Sequence, residues 1–313
     1  MSLSPIIIFT YRRNIDKLIE SLLQNKLSSE SDLYIFSDGY KSAIDKQDVL
    51  EVRENLKKIS GFKNIIIDEA STNGGLADSV ISGVSKIIDL HNKVIVLEDD
   101  LVVADNFLAY MNEALNFYEE DKSIWSISGY TPNLECLKSY DKDLFLSPRA
   151  NSWGWATWRG RWLKNDWEIR DWEQFKQDKE AIKRFNLGGN DLFKMLQTQM
   201  LGKIDSWAIR WCYNQFKYNT FTVYPTQSKL LNEGFDAKGT HNSGTSKRWD
   251  VEFSNNSVIF ENLLIDEVLF HCFQKKYDLQ FKTKIGYFLK QYGGYSLAKK
   301  FMKFIGSIYK GVI

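Results

Sequence analysis

Apolar residues fall along the first 120 or so positions in two alternating rhythms. Short runs such as PIIIFTY, DLYIFSDGY, NIIIDEA and KVIVLEDD gather aliphatic and aromatic residues into compact blocks, the pattern of buried strands. Between them the spacing is helical. NIDKLIESLLQN places Ile15, Leu18, Ile19, Leu22 and Leu23 on one face, and VLEVRENLKKIS, GGLADSVISGVSKIIDLH and NFLAYMNEALNFYEED repeat the theme, the last with Asp105 as its expected cap. Strand and helix in this alternation predict an α/β fold, a mostly parallel sheet covered by helices on both faces.

The second half changes character. In NSWGWATWRGRW, Trp155, Trp158 and Trp162 recur at a spacing that predicts one helical face, with Trp158 and Trp162 in the core and Trp153 and Gly154 in the loop before it. Helices are expected around residues 171–184, 190–201 and 206–218, followed by a polar loop, NEGFDAKGTHNSGTS. Residues 275–313 hold nine Lys and one acid, Asp278, interleaved with Tyr, Phe, Leu and Ile. That segment reads either as an amphipathic tail for an anionic membrane surface or as terminal helices packed on the core. No internal repeat is evident.

Composition narrows the functional classes. The 41 Lys plus Arg balance 40 Asp plus Glu, so binding to nucleic acid through phosphate neutralisation is not expected. Three cysteines, Cys136, Cys212 and Cys272, without C-x-x-C spacing argue against a disulfide framework and a structural zinc site, and favour a reducing cytoplasm. Neither a signal peptide nor a spanning helix is read from the sequence. Aromatic residues at 14%, with ten Trp, invite a ligand surface built from flat rings.

Ligands of open α/β sheets sit at the carboxyl ends of the strands. Here those ends carry Thr10, Tyr11 and Arg12, then Asp38 and Gly39, then Asp68 and Glu69, then Glu98, Asp99 and Asp100. Three successive carboxylates after an apolar strand repel one another unless a cation offsets them. Hard oxygen ligands select Mg²⁺ or Mn²⁺, ions that keep positions open for the oxygens of a bound phosphate. The rival reading is a charged turn at the amino end of the next helix.

An apolar strand ending in Glu98-Asp99-Asp100, preceded by N-x-G-L-A at 73–77 and S-D-G at 37–39, resembles the GT-A nucleotide-sugar glycosyltransferases and their "DXD" signature. The E-D-D-L form is most similar to the inverting N-acetylglucosaminyltransferases of complex N-glycan synthesis and to bacterial family 2 enzymes. The resemblance spans roughly residues 5–245. It implies a Rossmann-like GT-A domain over 1–245, with a nucleotide-sugar half at 1–130 and an acceptor half at 131–245. A helical C-terminal extension with the basic tail would follow at 246–313.

The same resemblance implies roles. Thr10, Tyr11 and Arg12 would lie along the nucleotide, and Asp38 would meet its base or ribose, unless Asp38 serves an Asp-Gly turn. Asn73, Gly74 and Gly75 would lie near the nucleotide or simply start a helix. Asp99 would face ribose or sugar, Asp100 would bind the metal, and Glu98 would orient other groups. Trp153, Gly154 and Trp155 would approach the donor sugar or acceptor. Asp205, before the helical run SWAIRW, would be the general base or an ordinary N-cap, with Asp191 in reserve. Glu168 and Asp171 read as a solvated linker. His241 would complete the metal shell or touch the diphosphate, or stay a surface histidine, and Lys247 and Arg248 lie just beyond.

The expected activity is therefore metal-dependent, inverting transfer of one sugar from a UDP-sugar to a saccharide or lipid-linked glycan, at the inner face of a bacterial cytoplasmic membrane. The lack of a Q-x-x-R-W motif speaks against a processive synthase. A nucleotidyltransferase is the rival enzyme, disfavoured because FTYRRNIDK has no glycine-rich loop after the first strand. A non-catalytic carbohydrate-binding protein of the same fold is the rival outside enzymes.

Overall fold

The computed structural model describes residues 3–234 and 251–277. Four parallel strands, β1 (Ile6–Thr10), β2 (Asp32–Ser37), β3 (Asn64–Glu69) and β4 (Lys93–Glu98), form one half of an eight-stranded sheet. The helices α1 (Asp16–Leu23), α2 (Lys46–Leu56) and α3 (Leu76–His91) connect them, and α4 (Phe107–Phe117) follows β4 after the short strand β5 (Leu101–Val103). All were expected from the apolar rhythm except β5.

The other half carries no strand pattern that the sequence analysis predicts. It is built from β6 (Ile124–Ser128), β7 (Leu144–Ser147), β8 (Trp155–Trp158) and β9 (Phe221–Pro225), giving the order β3-β2-β1-β4-β8-β6-β9-β7. Six strands share one direction; β8 runs antiparallel to β4 and β6, and β7 antiparallel to β9. The expected tryptophan helix is corrected here. Trp155–Trp158 is a strand wedged between β4 and β6, where pairing on both edges overrides the helical spacing. Only Arg159–Trp162 is helical, as α5.

Strand alternation divides the core. Ile6, Ile8, Leu33, Ile35, Ile95 and Leu97 pack with α1, α2 and α4, whereas Ile7, Phe9, Val94 and Val96 face α3. On that second face the expected helix at 171–184 is broken into α6 (Trp172–Phe175) and α7 (Lys179–Phe185). Two helices follow as expected, α8 (Leu192–Met200) and α9 (Trp207–Lys217). Trp125, Trp155, Trp162 and Trp211 are all buried there, with ring centroids 4.8 Å apart for Trp125–Trp211 and 5.5 Å for Trp155–Trp162. Most of the tryptophan surplus therefore fills the core and is not a ligand surface.

A two-stranded ribbon pairs β5 with β10 (Leu230–Asn232). Beyond the undescribed residues 235–250, Val251, Val258, Phe260 and Leu263 pack against the core, and α10 (Glu267–Lys276) docks Leu269 and Phe273 on Phe145 and Tyr224. Two further readings are corrected. Asp105 does not cap α4; Asn106 precedes the helix, and the Asp105 carboxylate accepts from Asn255 at 3.2 Å. Cys136 and Cys272 form a disulfide, which overturns the reading against one and removes the cysteines as support for a reducing compartment. Among the described residues no helix is long and apolar enough to cross a membrane. Residues 278–313, most of the basic tail, lie outside the described residues.

Candidate active site

At the carboxyl ends of β1 and β4 the chain opens a cleft of about 1330 Å³. Its walls come from Tyr11 to Asn14 and Asp16 to Leu18 after β1, from α2 through Asp48 and Glu51, from Glu98 to Leu101, from Ser152 and Trp153, from Ile204 to Ala208, and from Asn232 to Gly234. Of the sequence candidates, Tyr11, Arg12, Glu98, Asp99, Asp100, Trp153 and Asp205 meet in this one space.

The acidic triplet forms the turn between β4 and β5. β10 holds that turn. Glu233 N donates to Asp100 O at 2.8 Å, and Asn232 Nδ2 donates to Asp100 Oδ1 at 3.1 Å. At Gly234 a Cβ would stand 2.0 Å from Asp100 Oδ2, so the carboxylate occupies the room a side chain would need. Asp99 lies 3.8 Å from Arg13 Nε, both side chains 23% exposed.

Burial raises the Glu98 carboxyl well above the usual carboxylate range, and the charges of Asp100 and Asp99 raise it further. Burial and the Asp100 charge push Asp99 up to about 7, with Arg13 opposing the rise. These shifts mark three carboxylates crowded together where water reaches them poorly. Among the described lining residues, eight acids face three bases.

Whether a divalent metal fits can be judged from the donor set. Among the described residues no group of three or more His, Cys, Asp or Glu side chains is gathered to hold an ion on protein ligands alone. Mg²⁺-type sites on phosphorylated substrates take one or two carboxylates and complete their shell with phosphate oxygens and water. Asp100 and Asp99 fit that arrangement as hard oxygen donors on the cleft wall. His241, Lys247 and Arg248, read from the sequence as further contacts, lie outside the described residues.

Several of the expected contacts have partners within the fold. Thr10 is buried, and its hydroxyl donates to Arg13 O at 3.0 Å, shaping the loop and not the cleft wall. The Asp38 carboxylate accepts from the backbone of Gly39, Gly74 and Gly75 at 2.8, 2.9 and 3.1 Å, the arrangement of a turn residue. Asn73 donates to Gly39 O at 2.7 Å, which ties two loops together; Asn73, Gly74 and Gly75 do not line the cleft. Trp155 is 1% exposed within the tryptophan cluster. Gly154, at φ 55°, packs where a Cβ would lie 2.1 Å from Leu230, and it does not line the cleft.

Trp153 remains at the cleft, edge-on to Tyr130 at 4.6 Å. Asp191 is withdrawn as a reserve base because a two-point ion pair with Arg149 occupies it. Glu168 is exposed, in keeping with a solvated linker, whereas Asp171 is half-buried and paired with Lys217 at 2.7 Å. Sequence reasoning missed Arg13, Asn232 and Gly234. Arg13 stood beside the chosen Arg12, but nothing local linked Asn232 or Gly234 to a turn more than a hundred residues earlier.

No protein-family model matches the chain. Over 181 residues, 54% of the chain, it is 23% identical to alpha-1,3-mannosyl-glycoprotein 2-beta-N-acetylglucosaminyltransferase of Arabidopsis thaliana, and it spans 40% of that enzyme's length. Among solved structures, mannosyltransferase PcManGT from Pyrobaculum calidifontis, in complex with GDP-Man and Mn²⁺, aligns with TM-score 0.35 and 12% identity over 50% of this chain and 44% of its own. GalNAc-T7 with UDP, GalNAc and Mn²⁺ aligns with TM-score 0.45 and 13% identity over 74% and 44%. The chain is an α/β protein with a mixed, mostly parallel sheet flanked by helices, distantly similar in sequence to a plant N-acetylglucosaminyltransferase.

Proposed function

We propose that this chain is a metal-dependent, inverting glycosyltransferase that moves one sugar from a UDP-sugar to a saccharide or lipid-linked glycan in bacterial surface polysaccharide synthesis. The observation that carries the proposal is the half-buried acidic triplet sharing one cleft with the exposed carboxylate of Asp205. The distant similarity to a plant N-acetylglucosaminyltransferase supports it.

When bound, Mn²⁺ or Mg²⁺ supplies charge neutralisation for the leaving diphosphate. The chain's own residues do the rest. Asp100 and Asp99 hold the ion and the ribose-phosphate end of the donor, while Arg12 and Arg13 present positive charge on the same wall. Trp153 offers its ring to the apolar face of a sugar. Asp205 takes the proton from the acceptor hydroxyl as that oxygen bonds to the anomeric carbon; the bond to the diphosphate breaks on the opposite side, and its electron pair leaves with the diphosphate. The basic tail, 275–313, would hold the enzyme at the inner face of the cytoplasmic membrane.

A thermal-shift panel of UDP-N-acetylglucosamine, UDP-N-acetylgalactosamine, UDP-glucose and GDP-mannose, each with and without Mn²⁺, tests the reading, because a ligand selective for the native state raises its melting temperature. At least one donor should shift the protein only with metal. Asp100→Ala should abolish that shift, and Asp205→Asn should keep it while slowing turnover on the order of 100- to 10,000-fold. A panel with no metal-dependent shift, or an unchanged shift in Asp100→Ala, ends the proposal.

A further inference from the structure

Asp205 precedes α9, yet Ser206 is the residue that caps the helix, its hydroxyl accepting from Ile209 N at 3.4 Å. The Asp205 carboxylate is thereby left out of the capping. Its Oδ1 instead accepts from Arg210 Nη2 at 3.1 Å, with Asp205 61% exposed at the side chain and Arg210 only 12%.

Arg210 is itself tethered twice. Its Nε donates to Ser206 O at 3.2 Å, and its Nη1 donates to Trp167 O at 3.4 Å. The Trp167 ring lies 4.8 Å from Trp162 and stacks on Trp211 at 6.4 Å, so the carbonyl belongs to the buried tryptophan cluster. From the other side Gln199 Oε1 accepts from Ser206 N at 2.7 Å and fixes the backbone next to Asp205.

We propose that Arg210 is a positioning residue for the transfer reaction, its guanidinium fork anchoring Oδ1 of Asp205 to the tryptophan cluster and leaving Oδ2 for the acceptor hydroxyl. This rests on the reading of Asp205 as the base. An exposed aspartate turns freely about two bonds, and displacing a reacting group by about 1 Å costs on the order of 100-fold in rate. The fork removes that freedom before substrate arrives. A guanidinium can hold three acceptors in one plane, whereas an ammonium on a flexible stem is a single point of charge. The tryptophan surplus then acquires a purpose away from the ligand: it is the rigid base of this tether.

The test is a double-mutant cycle on manganese-dependent cleavage of the nucleotide sugar that gives the largest thermal shift in the panel above, with water as acceptor. Arg210→Met should lower kcat on the order of 10- to 100-fold while KM for the donor and the metal-dependent thermal shift stay within about twofold. Arg210→Lys should restore little of the rate. In an Asp205→Asn background either Arg210 substitution should cost almost nothing more, since the group it positions is gone. Equal losses in both backgrounds, a wild-type kcat in Arg210→Met, or full rescue by Arg210→Lys overturns the inference. Should Arg210→Met not fold, Arg210→Lys in the two backgrounds decides the cycle. Wild-type turnover in Asp205→Asn is a different result: it removes the base assignment itself.

Discussion

Asp191 and Arg149 meet in a two-point ion pair, Nη1 to Oδ1 at 2.8 Å and Nη2 to Oδ2 at 3.0 Å, with both side chains 12% exposed. The guanidinium also lies 3.8 Å over the Tyr277 ring, fastening the end of α10 to the body of the fold. Removing one partner of a buried pair strands the other charge in a poorly solvated place. Asp191→Ala should therefore lower unfolding stability by about 3–5 kcal/mol in chemical denaturation. In the protein that still folds, the manganese-dependent donor shift should persist, because Asp191 is not part of the cleft.

The acidic turn predicts the opposite sign of effect. Burial and two neighbouring carboxylates disfavour the charged form of Glu98, so the metal-free protein bears an electrostatic penalty there. Glu98→Gln should raise the stability of the protein in EDTA by on the order of 1 kcal/mol, measured by denaturant midpoint at constant slope. A midpoint that falls instead would show that Glu98 makes a compensating bond.

Gly154 is a steric requirement. Its φ of 55° and the 2.1 Å from a built Cβ to Leu230 both exclude a side chain. Leu230 begins β10, the strand that braces the acidic turn. Gly154→Ala should cost roughly 2–4 kcal/mol and weaken the metal-dependent donor shift as well, which a thermal melt with and without Mn²⁺ would register.

Lys229 gives a pH signature. It is 1% exposed, its Nζ donating to Ser254 O at 2.9 Å and to Asn256 O, and burial pushes its pKa down to about 8, with Asp143 opposing. Between about 8 and the usual lysine value near 10.4, the unfolded chain keeps a proton that the folded chain has lost, so this residue makes stability rise with pH. Below about 8 both states are protonated; the slope vanishes and the cost of burying the cation stands in full. Denaturation at pH 7 and pH 9.5 should show this gain in the wild type and lose it in Lys229→Met.

The basic tail offers the last test. If residues 275–313 meet an anionic bilayer, a chain truncated after Tyr277 should lose cosedimentation with phosphatidylglycerol vesicles and keep its donor shift. Unchanged sedimentation removes the membrane from the proposed function.

The sequence by itself determined the elements whose signal is local. β1 to β4 and α1 to α4 were legible because their buried faces recur within a few residues, at a period that a strand or helix alone can satisfy. The acidic triplet at the end of β4 was legible for the same reason, since like charges adjacent in sequence remain adjacent in any fold. Only the tertiary structure decided the rest. Trp155–Trp158 became a strand because two neighbouring strands claimed its edges, Asp38 became a turn residue when the Gly74 and Gly75 amides reached it, and Asp191 left the candidate list once Arg149 paired with it. Asp100 met Asn232 across 132 positions. Contacts of that range depend on closure of the sheet, which brings partners together that no local pattern connects.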